Sequence, residues 1–196
     1  MTAWIQMIQP EAAEGELRDV YAAVTSPHGT VDNVMKVHSL QPKTMLGHLQ
    51  LYKSILHNPD MTLSVGFLEI VASYTSMINN CAYSLTHHFN NARHLMADDA
   101  RAERVFQALE RNEPAAEFSG RELALLNYSA ELTRNVGGIT QSEVTNAKNE
   151  GCSDQEILEV NQVVAYFNYS NRVLNGLGVT TEGDVVGYYS NDAEIS

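Results

Sequence analysis

Apolar residues recur every three or four positions along most of this chain, the period of a helix with one buried face. Leu17, Val20, Tyr21 and Val24 form one such stripe, opened by Pro10-Glu11 and closed before Ser26-Pro27-His28-Gly29. Gln41-Pro42 opens a longer one through Met45, Leu49, Tyr52, Ile55 and Leu56, stopped by Asn58-Pro59. A third runs from Leu63 to Ile78 through Phe67, Ile70, Val71, Tyr74 and Met77, with the carboxylate of Glu69 beside its buried face. A break at Asn79-Asn80 then puts Cys81 at the start of the next helix. Further on, Ser119-x-x-Glu122, Thr140-x-x-Glu143 and Ser153-x-x-Glu156 read as capping boxes, and Gly137-Gly138, Gly151 and Asn175-Gly176 supply stops. No alternating strand pattern bounded by hairpin turns interrupts this series, so the pattern predicts an all-α bundle.

The 196 residues, 44% hydrophobic, suffice for one sizeable core, and no shift in composition marks a second domain, so residues 1–196 are expected to form a single one. Residues 181–196 read as an acidic C-terminal arm, extended or partly ordered, whose Val185, Val186 and Tyr188 are suited to docking on a neighbouring surface. The net charge of -12, without a basic cluster, argues against nucleic acid or an anionic membrane as partner and favours an uncharged substrate. No secretory leader pattern and no run of about 18 apolar residues is present, and the expected location is cytoplasmic. Two cysteines far apart, Cys81 and Cys152, suit a reducing compartment better than a disulfide framework.

The candidate chemistry lies in LEIVASYTSMINNCAYSLTHH, where Glu69, Cys81, Ser84 and His88 follow the spacing Glu-x11-Cys-x2-Ser-x3-His with Tyr83 in between. On a helix, positions 81, 84 and 88 share one stripe, which brings Ser84 within hydrogen-bond reach of His88. A cysteine at a helix N-terminus near an imidazolium is held toward thiolate, the form that attacks a peroxide. No phosphate-binding glycine loop or cofactor motif accompanies these residues. His87 and His94 share a helical face but lack the further ligands of a metal site, so neither cofactor nor metal is expected.

The motif resembles that of the carboxymuconolactone decarboxylase / AhpD-like superfamily, Glu-x11-Cys-x2-Cys-x3-His, with Ser84 in place of the second cysteine. His38-Ser39-Leu40-x-Pro42, Ser76-x2-Asn79-x-Cys81-x-Tyr83 and the ending FNYSNRVLNGLGV (167–179) are similar to the peroxidase-related branch of that superfamily. The resemblance implies an AhpD-like helical bundle that assembles as a homo-oligomer, with Cys81 as redox thiol, Glu69 and His88 as a proton relay, and Tyr83 beside them. It also implies reduction of a small organic hydroperoxide. Ser84 removes the sulfur that would close an intramolecular disulfide, so regeneration would fall to an external thiol reductant. The N-terminal domain of the sestrins likewise keeps Cys-x-Tyr-x4-His without the second cysteine, matching Cys81, Tyr83 and His88. The alternative is a cofactor-free acid–base lyase, isomerase or decarboxylase acting through His88 and Glu69 on a small carbonyl or lactone-type acid.

Overall fold

The computed structural model describes residues 2–26 and 28–189. Within them the chain forms α1 (Gly15–Val24), α2 (Asn33–Lys36), α3 (Pro42–Leu56), α4 (Val65–Ile78) and α5 (Ala82–Met96). It continues through α6 (Asp99–Glu110), α7 (Gly120–Arg134), α8 (Gln141–Asn149) and α9 (Asp154–Gly176), and no strand occurs among the described residues. The all-α expectation holds.

α4 is the axis of the bundle. Ten consecutive residues, Phe67 to Ser76, are buried, so this helix is covered on all sides, by α5, α7 and α9 above all. Its two buried serines satisfy their hydroxyls locally: Ser73 donates to the Glu69 carbonyl at 2.7 Å and Ser76 to that of Ala72 at 2.8 Å. Glu69 is therefore an acid on a fully enclosed helix, and its carboxylate must find partners inside the protein.

Local chemistry explains most helix boundaries. The Thr140 and Ser153 capping boxes form. That expected at Ser119 does not, because Gly120 immediately after it takes φ +52° and the serine hydroxyl makes no cap hydrogen bond. Pro10-Glu11 opens only a 3-10 turn, Pro10–Ala12, ahead of α1. Met1, Pro27 and residues 190–196 of the acidic arm lie outside the described residues. The rest of the arm is extended and folds back across its own chain, where Asn33 donates from its side chain to the carbonyls of Thr180 (2.9 Å) and Glu182 (3.0 Å).

Candidate active site

The site is built on the turn between α4 and α5. Asn80 adopts φ +52°, the Asn80 N–H bonds the Met77 carbonyl at 3.0 Å, and the Cys81 N–H bonds that of Ser76 at 2.9 Å. This is a Schellman stop, and it leaves Cys81 as the N-cap of α5, at the positive end of that helix's dipole. α9 fastens the turn from the other side. Asn171 donates to Ser76 Oγ at 3.2 Å, and Asn175 to the Asn79 carbonyl at 3.1 Å. The closing sequence motif thus acts on the cysteine turn.

On α5 the side chains separate into two pairs. His88 donates from Nδ1 to Glu69 Oε2 at 2.6 Å, a short charge-assisted bond, which fixes the imidazole tautomer with Nε2 as acceptor while the ring is neutral. Glu69 is wholly buried, and its second oxygen accepts from Asn91 Nδ2 at 3.1 Å. Cys81 Sγ donates to Ser84 Oγ at 3.6 Å, and the thiol residue is only 1% exposed. The hydrogen bond expected between Ser84 and His88 is not formed, since each side chain spends its reach on another partner: Ser84 on the sulfur, His88 on Glu69.

Ser84 and His88 both line a cavity of about 570 Å³, whereas Cys81 and Glu69 lie behind that wall. Val24, Val34, Met35, Leu49 and Leu174 make part of the lining apolar. Aromatic rings make much of the remainder: Tyr52 with His57 (centroids 5.0 Å apart), His57 with Tyr188 (4.8 Å), and Tyr83 stacked on His87 (4.8 Å), while Asp32 and Lys53 bring charged groups to the wall. Burial lowers the pKa of His48 to about 3 and of His87 to about 4, so these imidazoles are neutral near pH 7. His57 is lowered too, by burial first. Asp32 is raised to about 6, by burial and then by the charge of Asp184.

Tyr83 points away from the Glu69–His88 pair. Its hydroxyl accepts from the Val34 N–H at 3.1 Å and donates to Asp184 Oδ2 at 2.6 Å. Asp184 also accepts from the Asn33 N–H at 3.0 Å, which pins the C-terminal arm to the site. Burial raises the Asp184 pKa, against the lowering effect of the Tyr83 and Asn33 hydrogen bonds. Sequence reasoning missed Asp184, Asn91 and Tyr52. Asn91 alone carried a readable signal, three residues beyond His88 on the same helical face. Among the described residues, no group of three or more His, Cys, Asp or Glu side chains converges to hold a metal ion. None of their helices is long and apolar enough to cross a membrane.

No family model and no curated protein matches the chain in sequence. Solved structures do match it. A peroxidase-related protein from Ralstonia eutropha JMP134, described as an alkylhydroperoxidase AhpD core, superimposes with a TM-score of 0.79 over 94% of both chains at 18% identity. This chain has the AhpD fold. A peroxidase-related protein from Silicibacter sp. TM1040 gives 0.78 over 93% of both chains at 22% identity. The debrominase Bmp8 has the fold as well, at TM-score 0.71 and 14% identity over 93% of this chain and 92% of its own. A cysteine-to-alanine variant of Bmp8, in complex with 2,3,4-tribromopyrrole, matches with a TM-score of 0.69.

Proposed function

We propose that this protein is a single-cysteine thiol peroxidase that reduces a small, uncharged organic hydroperoxide in the aromatic-lined cavity. The observation that carries the reading is the Glu69–His88 pair at 2.6 Å, opening on the cavity beside Ser84, which in turn contacts the Cys81 sulfur at the N-terminus of α5. The Cys81 thiol gives up its proton to Nε2 of His88, the thiolate attacks the terminal peroxide oxygen, the O–O bond breaks, and the leaving alkoxide takes that proton from His88. Cys81 is left as sulfenic acid. Two equivalents of an external thiol then restore it, yielding a disulfide of that thiol and water. Ser84 must rotate off the sulfur for the peroxide to reach it, because Cys81 itself does not line the cavity.

No second sulfur of the chain is in position to help. Cys152 is buried in the main core, where its thiol faces the Arg121 carbonyl at 3.8 Å, while Cys81 packs with Val37, Tyr83 and Leu174. Regeneration by an external reductant, assembly as a homo-oligomer and a cytoplasmic location belong to the same proposal.

One observation favours a second reading: the cavity wall exposes His88 and hides Cys81. Acid–base chemistry at His88, oriented by Glu69, would then act on a small organic substrate without the thiol. The Bmp8 complex adds a substrate class worth assaying, since it places a flat brominated heteroaromatic on this fold, and the Tyr52, His57 and Tyr188 rings here suit such a shape.

The test measures consumption of cumene hydroperoxide, and of 2,3,4-tribromopyrrole, with excess dithiothreitol. On the peroxidase reading, Cys81→Ser abolishes hydroperoxide turnover, dimedone labels Cys81 after one equivalent of peroxide, and His88→Ala lowers kcat/KM by about 10²–10⁴. Peroxide consumption no faster than by free cysteine at the same pH would overturn it. Turnover that survives Cys81→Ser but not His88→Ala would establish the acid–base reading instead.

A further inference from the structure

The C-terminal arm forms part of the cavity wall, through Val185, Gly187 and Tyr188, and its hydrogen bonds land on the helix that carries the relay. The Gly187 N–H donates to His87 Nδ1 at 3.4 Å, one residue from His88. The Tyr188 N–H donates to Asn91 Oδ1 at 2.6 Å. Asn91 is 2% exposed, and its amide nitrogen holds Glu69 Oε1, whose carboxylate partner oxygen holds His88. An unbroken chain of hydrogen bonds therefore runs from the arm to the imidazole.

The amide of Asn91 has two different ends, and both neighbours demand the same orientation. Turned over, its NH2 would meet the Tyr188 N–H and its oxygen would meet the Glu69 carboxylate, donor against donor and acceptor against acceptor. Without the arm, Asn91 loses the contact that selects the productive orientation.

We infer that Asn91 is a positioning residue through which closure of the 184–188 arm over the cavity sets the geometry of the Glu69–His88 pair. The arm is a lid whose seating completes the site. Substrate enters when Gly187 and Tyr188 lift from His87 and Asn91, and the relay is held in place only after they return. The role of the relay in catalysis rests on the peroxidase proposal; the mechanical link does not.

Gly187 lies at φ +83°, a conformation closed to proline, and its N–H is the donor to His87, so Gly187→Pro unseats the arm while leaving the chain at full length. Two activity-independent readouts follow. Iodoacetamide labelling at neutral pH, read by mass spectrometry, should accelerate about tenfold at Cys81 in Gly187→Pro and stay unchanged at Cys152, whose thiol faces the Arg121 carbonyl within the main core. The low-field proton resonance of His88 Nδ1–H should be sharp in the parent and broadened by solvent exchange in both Gly187→Pro and Asn91→Ala. Where peroxidase turnover exists, the two substitutions should lower kcat several-fold each and combine without adding, as links of one chain do. If Gly187→Pro accelerates both cysteines equally, the fold has loosened and the chain ended after Val186 replaces it in the same assays. Unchanged Cys81 labelling with an unchanged His88 proton in both arm variants would overturn the inference. Loss of peroxide turnover in the parent, with these two readouts as expected, would instead sink only the peroxidase reading.

Discussion

Replacing Glu69 by glutamine tests the polarity of the buried pair without reference to any substrate. The carboxylate accepts from two donors, His88 Nδ1–H and Asn91 Nδ2–H, at a position with no exposure. An amide has one acceptor end. If its oxygen faces His88, its NH2 confronts the Asn91 NH2, and one buried donor is left unsatisfied at a cost of about 1–3 kcal/mol. In a domain of this size that corresponds to a loss of about 2 to 12 °C in Tm, at roughly 2–4 °C per kcal/mol.

The neutral amide also relieves the desolvation of a buried carboxylate, which works in the opposite direction. A compensating change separates the two effects. In Glu69→Gln/Asn91→Asp the amide oxygen accepts from His88, its NH2 donates to the new carboxylate, and that carboxylate still accepts from the Tyr188 N–H. The count of buried carboxylates equals the parent's, so only the hydrogen-bond pattern differs. Urea unfolding with unchanged m-values should show each single substitution destabilised and the double variant recovering more than half of the loss of Glu69→Gln. A double variant as unstable as the sum of the singles would refute the donor and acceptor assignment on which both the relay and the arm linkage depend.

The histidines around the cavity make stability depend on pH with a definite sign. Burial holds the folded-state pKa of His48 near 3 and of His87 near 4, below their unfolded value, so the unfolded chain binds more protons and stability is lost as pH falls from about 6.5. Asp32, raised to about 6, acts oppositely between about 4 and 6. Near pH 5, His48, His87 and Asp32 alone, two imidazole protons against one carboxyl proton, leave about one in net uptake on unfolding, a slope of ~1.4 kcal/mol per pH unit; His38 and His57, also lowered by burial, add to that uptake, and Asp184, raised by burial, opposes it. Urea midpoints at pH 6.5, 5.5 and 4.5 check it, and His48→Gln should flatten the slope; a flat or inverted parent profile would contradict the burial argument. A last substitution probes the C-terminal motif: Gly178 lies at φ +62°, and a Cβ there would run into the Trp4 ring. Gly178→Ala should cost about 1–3 kcal/mol of stability by combining left-handed strain with displacement of that ring, and a change below roughly 0.5 kcal/mol would show the segment yields freely.

What the sequence made legible follows from what has a period. The long helices, the break at Asn79-Asn80 and the placement of Cys81 at the head of α5 are recorded in three-to-four spacing and in turn residues, because one face of each helix must be buried. Ser84 was legible as the missing sulfur but not as the screen in front of the remaining one, since spacing tells which face a side chain shares and nothing of what covers it. Asn91 reads in sequence as another polar helix residue. Its role is set by Glu69, 22 positions earlier, and by Tyr188, 97 positions later. Asp184 is hidden in the same way within an acidic, aperiodic tail that suggested docking on a neighbouring surface, whereas its described part closes on its own cavity. Such contacts leave no local pattern, because only one residue at each end takes part and the segments between them are free to have any period. The consequence for mechanism is specific. The residues to which the proposed function assigns chemistry were readable from the α4–α5 motif, while Asn91 and the arm, inferred above to be responsible for assembling them, lie on elements whose sequence is silent about it. If the arm is the lid inferred above, variation in it between otherwise similar chains should change the gating and choice of substrate before it changes the Glu69–His88 pair itself.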